Sequence, residues 1–219
     1  MTAFNFEQAR QNMIEQQIRP WDVLDQHVLD VLASVPREDF VPERYRNLAF
    51  SDLAIPLGHD EFMLKPNFEG RILQALAVRP GERVLEIGTG SGYLTACLAR
   101  LTTSVVSVDI VAEFIESARV KLKAHGLGHV VLHVGDASGG WGERRYDAIA
   151  VTGSVAAVAD HWRQSLSLNG RLFIVVGQPP VMEALLITRL GEREWLRESL
   201  FDTELPPLRN AAPPRVFEF

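Results

Sequence analysis

Val84-Leu85-Glu86-Ile87-Gly88-Thr89-Gly90-Ser91-Gly92-Tyr93 is the stretch on which the reading of the fold turns. The apolar run Arg83 to Ile87 predicts a buried strand, glycines follow at alternate positions, and Leu94 to Arg100 predicts a helix. A strand, a glycine turn and a helix in that order bring backbone N–H groups and a helix N-terminus up to a ligand. Glycine suits such a turn because it adopts positive φ and because a Cβ would obstruct close approach.

Working outward, strand and helix patterns alternate. Val105-Val106-Ser107-Val108 predicts a strand and Ala112 to His125 a helix ended near Gly126. Val130 to Val134 predicts a strand, followed by the loop Gly135-Asp136-Ala137-Ser138-Gly139-Gly140. Tyr146 to Val151 is a further strand, Ala156 to Ser167 a helix, and Arg171 to Val176 a strand entered through the turn Leu168-Asn169-Gly170. Repeated units of this kind, with nearly continuous apolar strands, imply a parallel sheet covered on both faces. The rhythm then changes: Ala184 to Arg189 and Trp195 to Phe201 predict an antiparallel hairpin at the sheet edge, joined across Gly191-Glu192. The tail from Pro206 to Arg215 is too rich in proline for regular structure.

Upstream, Phe6, Ala9, Met13, Ile14 and Ile18 recur at helical spacing until Pro20, and Asp25 to Val35 repeats the pattern until Pro36. Asn67 to Leu76 predicts another helix, opened by Pro66. The expected fold class is therefore α/β, a Rossmann-like, doubly wound and mostly parallel sheet with an antiparallel edge hairpin. Residues 1–60 form an N-terminal helical cap in the same domain, and residues 61–219 form the core with its edge strands and tail.

A chain of 219 residues with 47% hydrophobic and 23% charged content suits one soluble domain. The lone Cys97 excludes an intramolecular disulfide, and it predicts a packed core thiol. No leader-like N-terminus and no run of about 18 apolar residues are read, so the expectation is a cytoplasmic protein that does not span a membrane. A net charge of −6 argues against nucleic-acid binding, which calls for a basic face. No metal-ligand spacing stands out.

The glycine spacing speaks against a dinucleotide. If Gly88 and Gly90 opened that fingerprint, its third glycine would fall at residue 93, which is Tyr93. A P-loop also fails, because no Gly-Lys-Ser/Thr follows. Acidic residues sit instead at successive strand ends. Asp109 is placed to accept protons from both ribose hydroxyls, Asp136 beside Ala137 to accept from an adenine amino group, and Glu86 to face a ligand ammonium. Carboxylates would repel a pyrophosphate and suit a sulfonium, which selects S-adenosyl-L-methionine. The candidate cofactor-binding set is Glu86, Gly88, Thr89, Gly90, Gly92, Asp109, Ile110, Asp136, Ala137 and Thr152.

Over residues 7 to 177 the sequence resembles the class I S-adenosylmethionine-dependent methyltransferases, and within them the protein-L-isoaspartate O-methyltransferases. The resemblance rests on Val84 to Ala96 and Tyr146-Asp147-Ala148-Ile149-Ala150-Val151-Thr152. It is narrowed by Met13-Ile14-Glu15-Gln16-Gln17-Ile18 and Pro36-Arg37-Glu38-Asp39-Phe40-Val41-Pro42. It implies a seven-stranded sheet, a cofactor site lined by Gly88, Gly90, Gly92, Asp109, Asp136 and Ala137, and methyl transfer to isoaspartyl carboxylates of damaged proteins.

One segment departs from the family's pattern. After Ile55-Pro56-Leu57-Gly58 the chain reads His59-Asp60-Glu61-Phe62-Met63-Leu64-Lys65-Pro66, and aligning the prolines puts Leu64 where the family carries an active-site serine. The segment Thr203 to Leu208 resembles the family's substrate-binding strand only loosely. A carboxylate of pKa about 4 needs no general base at neutral pH, so its transfer depends on in-line placement and on orienting donors. Leu64 removes one donor, Asp60 and Glu61 would oppose an anion unless they face solvent, and His59 or Lys65 could pair with the acceptor. The expected substrate pocket is therefore His59, Leu64 and Lys65, with no catalytic residue assigned. Three readings follow: an isoaspartyl methyltransferase, a methyltransferase with another acceptor such as a small molecule, and a noncatalytic cofactor-binding protein. The oligomeric state is not legible in the chain.

Overall fold

The computed structural model describes residues 4–211; the prolines at 213 and 214, part of the expected irregular tail, and the first three residues lie outside this range. Helix α1 (Phe6–Met13) starts where the Asn5 side chain accepts the Gln8 N–H, and it continues through a wider turn, Ile14–Ile18. Helix α2 (Gln26–Ser34) is capped by Asp25, whose carboxylate accepts from His27 and Val28. A small antiparallel hairpin follows, β1 (Ile55–Gly58) and β2 (Glu61–Met63), in a segment for which the sequence predicts no strands. Its turn residues His59 and Asp60 both have positive φ, the geometry for which two-residue hairpins usually use Asn-Gly. The boundary expected at residues 60 and 61 falls inside this hairpin, where Ile55 pairs with Met63.

Helix α3 (Pro66–Leu76) opens with proline in its first turn. The main layer then runs β3 (Arg83–Ile87), α4 (Tyr93–Leu101), β4 (Ser104–Asp109), α5 (Ala112–Ala124), β5 (Val131–Val134), β6 (Tyr146–Val155), α6 (Asp160–Gln164), β7 (Leu166–Gln178), β8 (Val181–Arg189) and β9 (Trp195–Asp202). These strands form one seven-stranded sheet in the order β5-β4-β3-β6-β7-β8-β9, parallel up to β7 and antiparallel across β8 and β9. The chain builds outward from β3 to β5 and then returns to β6 on the other side of β3. That reversal places the topological switch point, where open α/β sheets bind ligands, at the glycine turn.

Alternate residues of β3 serve different faces. Val84 packs with the cap and α3, α4 and α5 side chains such as Met13, Leu32, Ile72 and Cys97, while Leu85 and Ile87 pack with Trp162, Ile174 and Leu185. Burial pushes the Cys97 thiol well above its ordinary pKa, as expected of a core cysteine.

Two expected elements are corrected. The helix expected over residues 156–167 is only the short α6: Ala159 before it is extended, with φ −80° and ψ 151°, and Leu166 after it already belongs to β7. Over its described residues the tail forms no helix or strand, as expected, and it meets β6 at Ser154, whose N–H donates to the Pro206 carbonyl and whose carbonyl accepts from the Leu208 N–H, both at 2.8 Å. Strand β7 starts earlier than expected because Leu166 pairs with Tyr146 before the Ser167–Gly170 bulge. Among the described residues no helix is long and apolar enough to cross a membrane.

Candidate active site

A cavity of about 450 Å³ opens at the C-terminal ends of β3, β4 and β6 and continues beneath the β1–β2 hairpin, the start of α3 and the tail. Its cofactor half is built from the glycine turn. The Gly88 N–H donates to the Val108 carbonyl, at 2.8 Å, which ties the turn to β4. Asp109 then organises the turn: its Oδ2 accepts the Gly90 N–H at 2.8 Å and its Oδ1 the Val111 N–H at 2.9 Å. Burial raises the Asp109 carboxyl above its usual range, against the lowering effect of these two N–H groups and of the Arg209 guanidinium.

Two of the glycines are required by packing within the protein as well as by their positive φ. Gly88 has φ +97°, and a Cβ there would lie 2.1 Å from Thr152 Oγ1, which itself donates to the carbonyls of Ile87 and Gly88. At Gly92, with φ +83°, a Cβ would lie 2.9 Å from Ala118 Cβ on α5. The expected positive φ is present at Gly88, Gly90 and Gly92, and at Gly88 and Gly92 a close neighbour within the fold adds to the requirement for glycine.

Glu86 is 0% exposed and lines the cavity wall. Its Oε2 accepts from the hydroxyls of Ser107, at 2.6 Å, and Thr95, while Oε1 is enclosed without a partner among the described residues. Burial lifts its carboxyl to about 8, more than the two hydroxyls lower it. An enclosed oxygen without a donor is costly, and a turn of the carboxylate towards the cavity would let an arriving cationic group satisfy it. Thr89 is bound to the same cluster through Ser107 Oγ at 2.6 Å. Ile110, Ala137 and Thr152 also line the cavity, so nine of the ten expected cofactor residues meet there, while Gly92 lies outside the lining, packed against Ala118 of α5. Asp136 is exposed and already engaged: it accepts from the Ser138 N–H and from Asn210 Nδ2, both at 2.9 Å, and its pKa is lowered first by the Ser138 hydroxyl and then by these two groups.

The other half of the cavity differs from the expected substrate pocket. Leu64 and Lys65 line it, but His59 lies outside the lining, against the Phe114 ring and 4.0 Å from Glu113. Positive φ at His59 aims its side chain away while its backbone carbonyl accepts from Arg209. The feared acidic repulsion is also reduced, since Asp60 lies outside the cavity lining and Glu61 is bound by Arg209 Nε at 2.7 Å. Lys65 Nζ stands 3.9 Å from Asp52.

Several residues here were not singled out by sequence. Arg37 is fully enclosed: it donates to the carbonyls of Ala49, at 2.7 Å, and Leu64, at 2.6 Å, and to the carboxylate of Glu69, and it packs over the Tyr93 ring at 4.7 Å. Glu69, 2% exposed, forms part of the cavity wall, and burial raises its carboxyl to about 7 against the pull of Arg37. One signal existed: Glu69 shares the apolar face of α3 with Ile72, Leu73 and Leu76, a spacing that buries it. The tail residue Arg209 ties the wall to β1–β2, and it had no comparable signal.

The family model for protein-L-isoaspartate(D-aspartate) O-methyltransferase (PCMT) matches residues 8–200. Protein-L-isoaspartate O-methyltransferase 1 of Rhodopseudomonas palustris (strain HaA2) is 36% identical over 208 residues, covering 94% of this chain and 85% of the relative. The protein-L-isoaspartate O-methyltransferase of Methylorubrum extorquens (strain PA1) is 38% identical over 202 residues, covering 92% and 88%. In fold, the chain superposes with a TM-score of 0.77 on a Plasmodium falciparum beta-aspartate methyltransferase (PCMT) solved with S-adenosyl-L-homocysteine, at 19% identity and covering 94% of this chain and 99% of that one. A match that runs from the helical cap through the glycine turn into β9 places the chain in a family: it belongs to the protein-L-isoaspartate(D-aspartate) O-methyltransferases.

Proposed function

We propose that this protein is an S-adenosyl-L-methionine-dependent O-methyltransferase that acts on isoaspartyl carboxylates in peptides and proteins, in the cytoplasm. The observation that carries the cofactor is Glu86 Oε1, an enclosed acceptor without a donor beside the glycine turn. The residues present fit the group: Glu86 would take its ammonium, and Asp109, with lone pairs left after Gly90 and Val111, would take ribose hydroxyls. Asp136 would meet the adenine amino group once Asn210 yields or shares its oxygen.

When bound, S-adenosyl-L-methionine supplies an electrophilic methyl that passes to a carboxylate oxygen while the carbon–sulfur electron pair stays on sulfur. The protein's part is placement. An ionised carboxylate needs no base, so the walls must hold the oxygen in line and exclude water. Leu57, Phe62, Leu64 and Phe68 give the acceptor half apolar walls, and Arg209 closes the hairpin towards the tail. The acceptor assignment rests on family membership. On the proline alignment Leu64 withholds the hydroxyl of the family's serine, which predicts slower turnover than in a relative that keeps it.

The test is transfer of a radiolabelled methyl group from S-adenosyl-L-methionine to an isoaspartyl peptide. Base-labile label in the isoaspartyl peptide, and none in its aspartyl counterpart, is expected. Label absent from the peptide but present in other components of a cell extract would overturn the acceptor assignment.

A further inference from the structure

We propose that the side-chain amide of Asn67, in the first turn of α3, is the donor that orients the acceptor carboxylate. This rests on the isoaspartyl reading above and names the group that stands in for the missing hydroxyl. Asn67 is 2% exposed and forms part of the cavity wall beside Leu64, Lys65 and Phe68. Its Oδ1 accepts the Phe68 N–H at 2.8 Å. A backbone N–H can only donate, so this bond fixes which terminal atom is oxygen and leaves both hydrogens of Nδ2 on the other side. Nδ2 has no partner among the described hydrogen bonds, yet it is not one of the sealed, unpartnered atoms, as Glu86 Oε1 is. A nearly buried side chain whose N–H groups are neither bonded nor sealed opens onto the cavity, and it is ready for an acceptor oxygen.

The alternatives are already committed. All three nitrogens of the Arg37 guanidinium donate within the protein, to Ala49, Glu69 and Leu64. The Leu64 carbonyl accepts from Arg37, and the Leu64 side chain, which lines the cavity, has no donor to offer. Lys65 is half exposed beside Asp52, and His59 is outside. Asn67 also sits at the N-terminal end of an eleven-residue helix, where backbone dipoles favour an anion. The amide lies three positions after Leu64, so the donor is displaced along the chain without leaving the same wall.

Asn67→Asp keeps the shape, replaces the donor with a negative charge, and should lower kcat/KM for an isoaspartyl peptide at neutral pH by about 100-fold; Asn67→Ala should lower it by about 10-fold. The affinity of the peptide for the S-adenosyl-L-homocysteine complex should fall in the same order. Affinity for S-adenosyl-L-homocysteine itself should stay close to wild type, while the thermal midpoint falls modestly, since Asn67→Ala removes the acceptor of the Phe68 N–H and Asn67→Asp encloses a charge. Adding Leu64→Ser to Asn67→Ala should recover turnover. Wild-type turnover unchanged by either Asn67 substitution would overturn the role of Asn67 and leave the isoaspartyl reading standing. Equal losses of stability, cofactor affinity and peptide affinity would reduce Asn67 to a structural residue. A wild-type protein that binds S-adenosyl-L-homocysteine but neither binds nor methylates the peptide would overturn both readings.

Discussion

The two halves of the cavity are built in different ways. The cofactor half comes from consecutive strand ends: Glu86 and the glycine turn after β3, Asp109 after β4, Asp136 after β5 and Thr152 in β6. The acceptor half joins distant segments, with the β1–β2 hairpin held to the tail by Arg209 and the start of α3 held to the cap by Arg37. The first half is fixed by sheet topology, which hydrophobic burial stabilises in any case. The second depends on a few polar contacts, so it can change its chemistry without disturbing the first.

The largest expected effect tests how the acceptor wall is held. Arg37→Met leaves the Glu69 carboxylate enclosed without its partner and removes donors from two carbonyls. Breaking a buried pair in this way costs about 3–5 kcal/mol, readable as a lower urea midpoint at unchanged slope. The double variant Arg37→Met/Glu69→Leu should regain much of that loss. A single variant as stable as wild type would mean that the pair does not hold the wall.

Next comes Asp109→Asn, aimed at the other half. An amide can present only one oxygen to the Gly90 and Val111 N–H groups, so one is left without its acceptor. Affinity for S-adenosyl-L-homocysteine should fall by about 10- to 100-fold, with isoaspartyl-peptide KM little changed. A change in KM alone would blur the division between the halves.

Both halves were legible to different degrees, and these contacts explain why. The glycine turn and the acids at strand ends are local in sequence, and strand periodicity alone places them. The β1–β2 hairpin was missed because its turn is His59-Asp60 rather than a residue pair that favours positive φ. Arg37 and Glu69 lie 32 residues apart, so no spacing rule joins them. The tail carries prolines that argue against regular structure, yet Pro206 and Leu208 bond to the backbone of Ser154, an interaction that side-chain pattern does not encode. The expected long helix after β6 shrank to α6 because Leu166 pairs with Tyr146 in β7, a contact that local pattern does not encode.

Proton linkage gives a smaller effect and probes Glu86. Its folded carboxyl titrates at about 8 against an ordinary 4.5, so between those values the folded state holds a proton that the unfolded chain has lost. This contribution is most favourable below pH 4.5 and is lost as pH rises towards 8. Glu69, raised to about 7, acts in the same direction. The thermal midpoint of the unliganded protein should therefore decline across this window less steeply in Glu86→Gln. A ligand ammonium would favour the ionised form, so binding at neutral pH should release a proton, seen as a buffer-dependent heat that Glu86→Gln abolishes.

The smallest effect is expected at Arg209. Its bonds to Glu61 and His59 are partly exposed, and such pairs contribute about 0–1 kcal/mol to stability. Arg209→Ala should leave the thermal midpoint nearly unchanged and raise peptide KM by a few-fold, because the hairpin would no longer be tied to the tail. A stability loss equal to that of Arg37→Met would show that the tail is part of the core.

Calorimetry with S-adenosyl-L-homocysteine at neutral pH tests the central claim most directly. Binding in the micromolar range at one site per chain, with a matching upward thermal shift, is the predicted result. No heat and no thermal shift would contradict the assignment of the glycine turn, Glu86 and Asp109 to an adenosyl ligand.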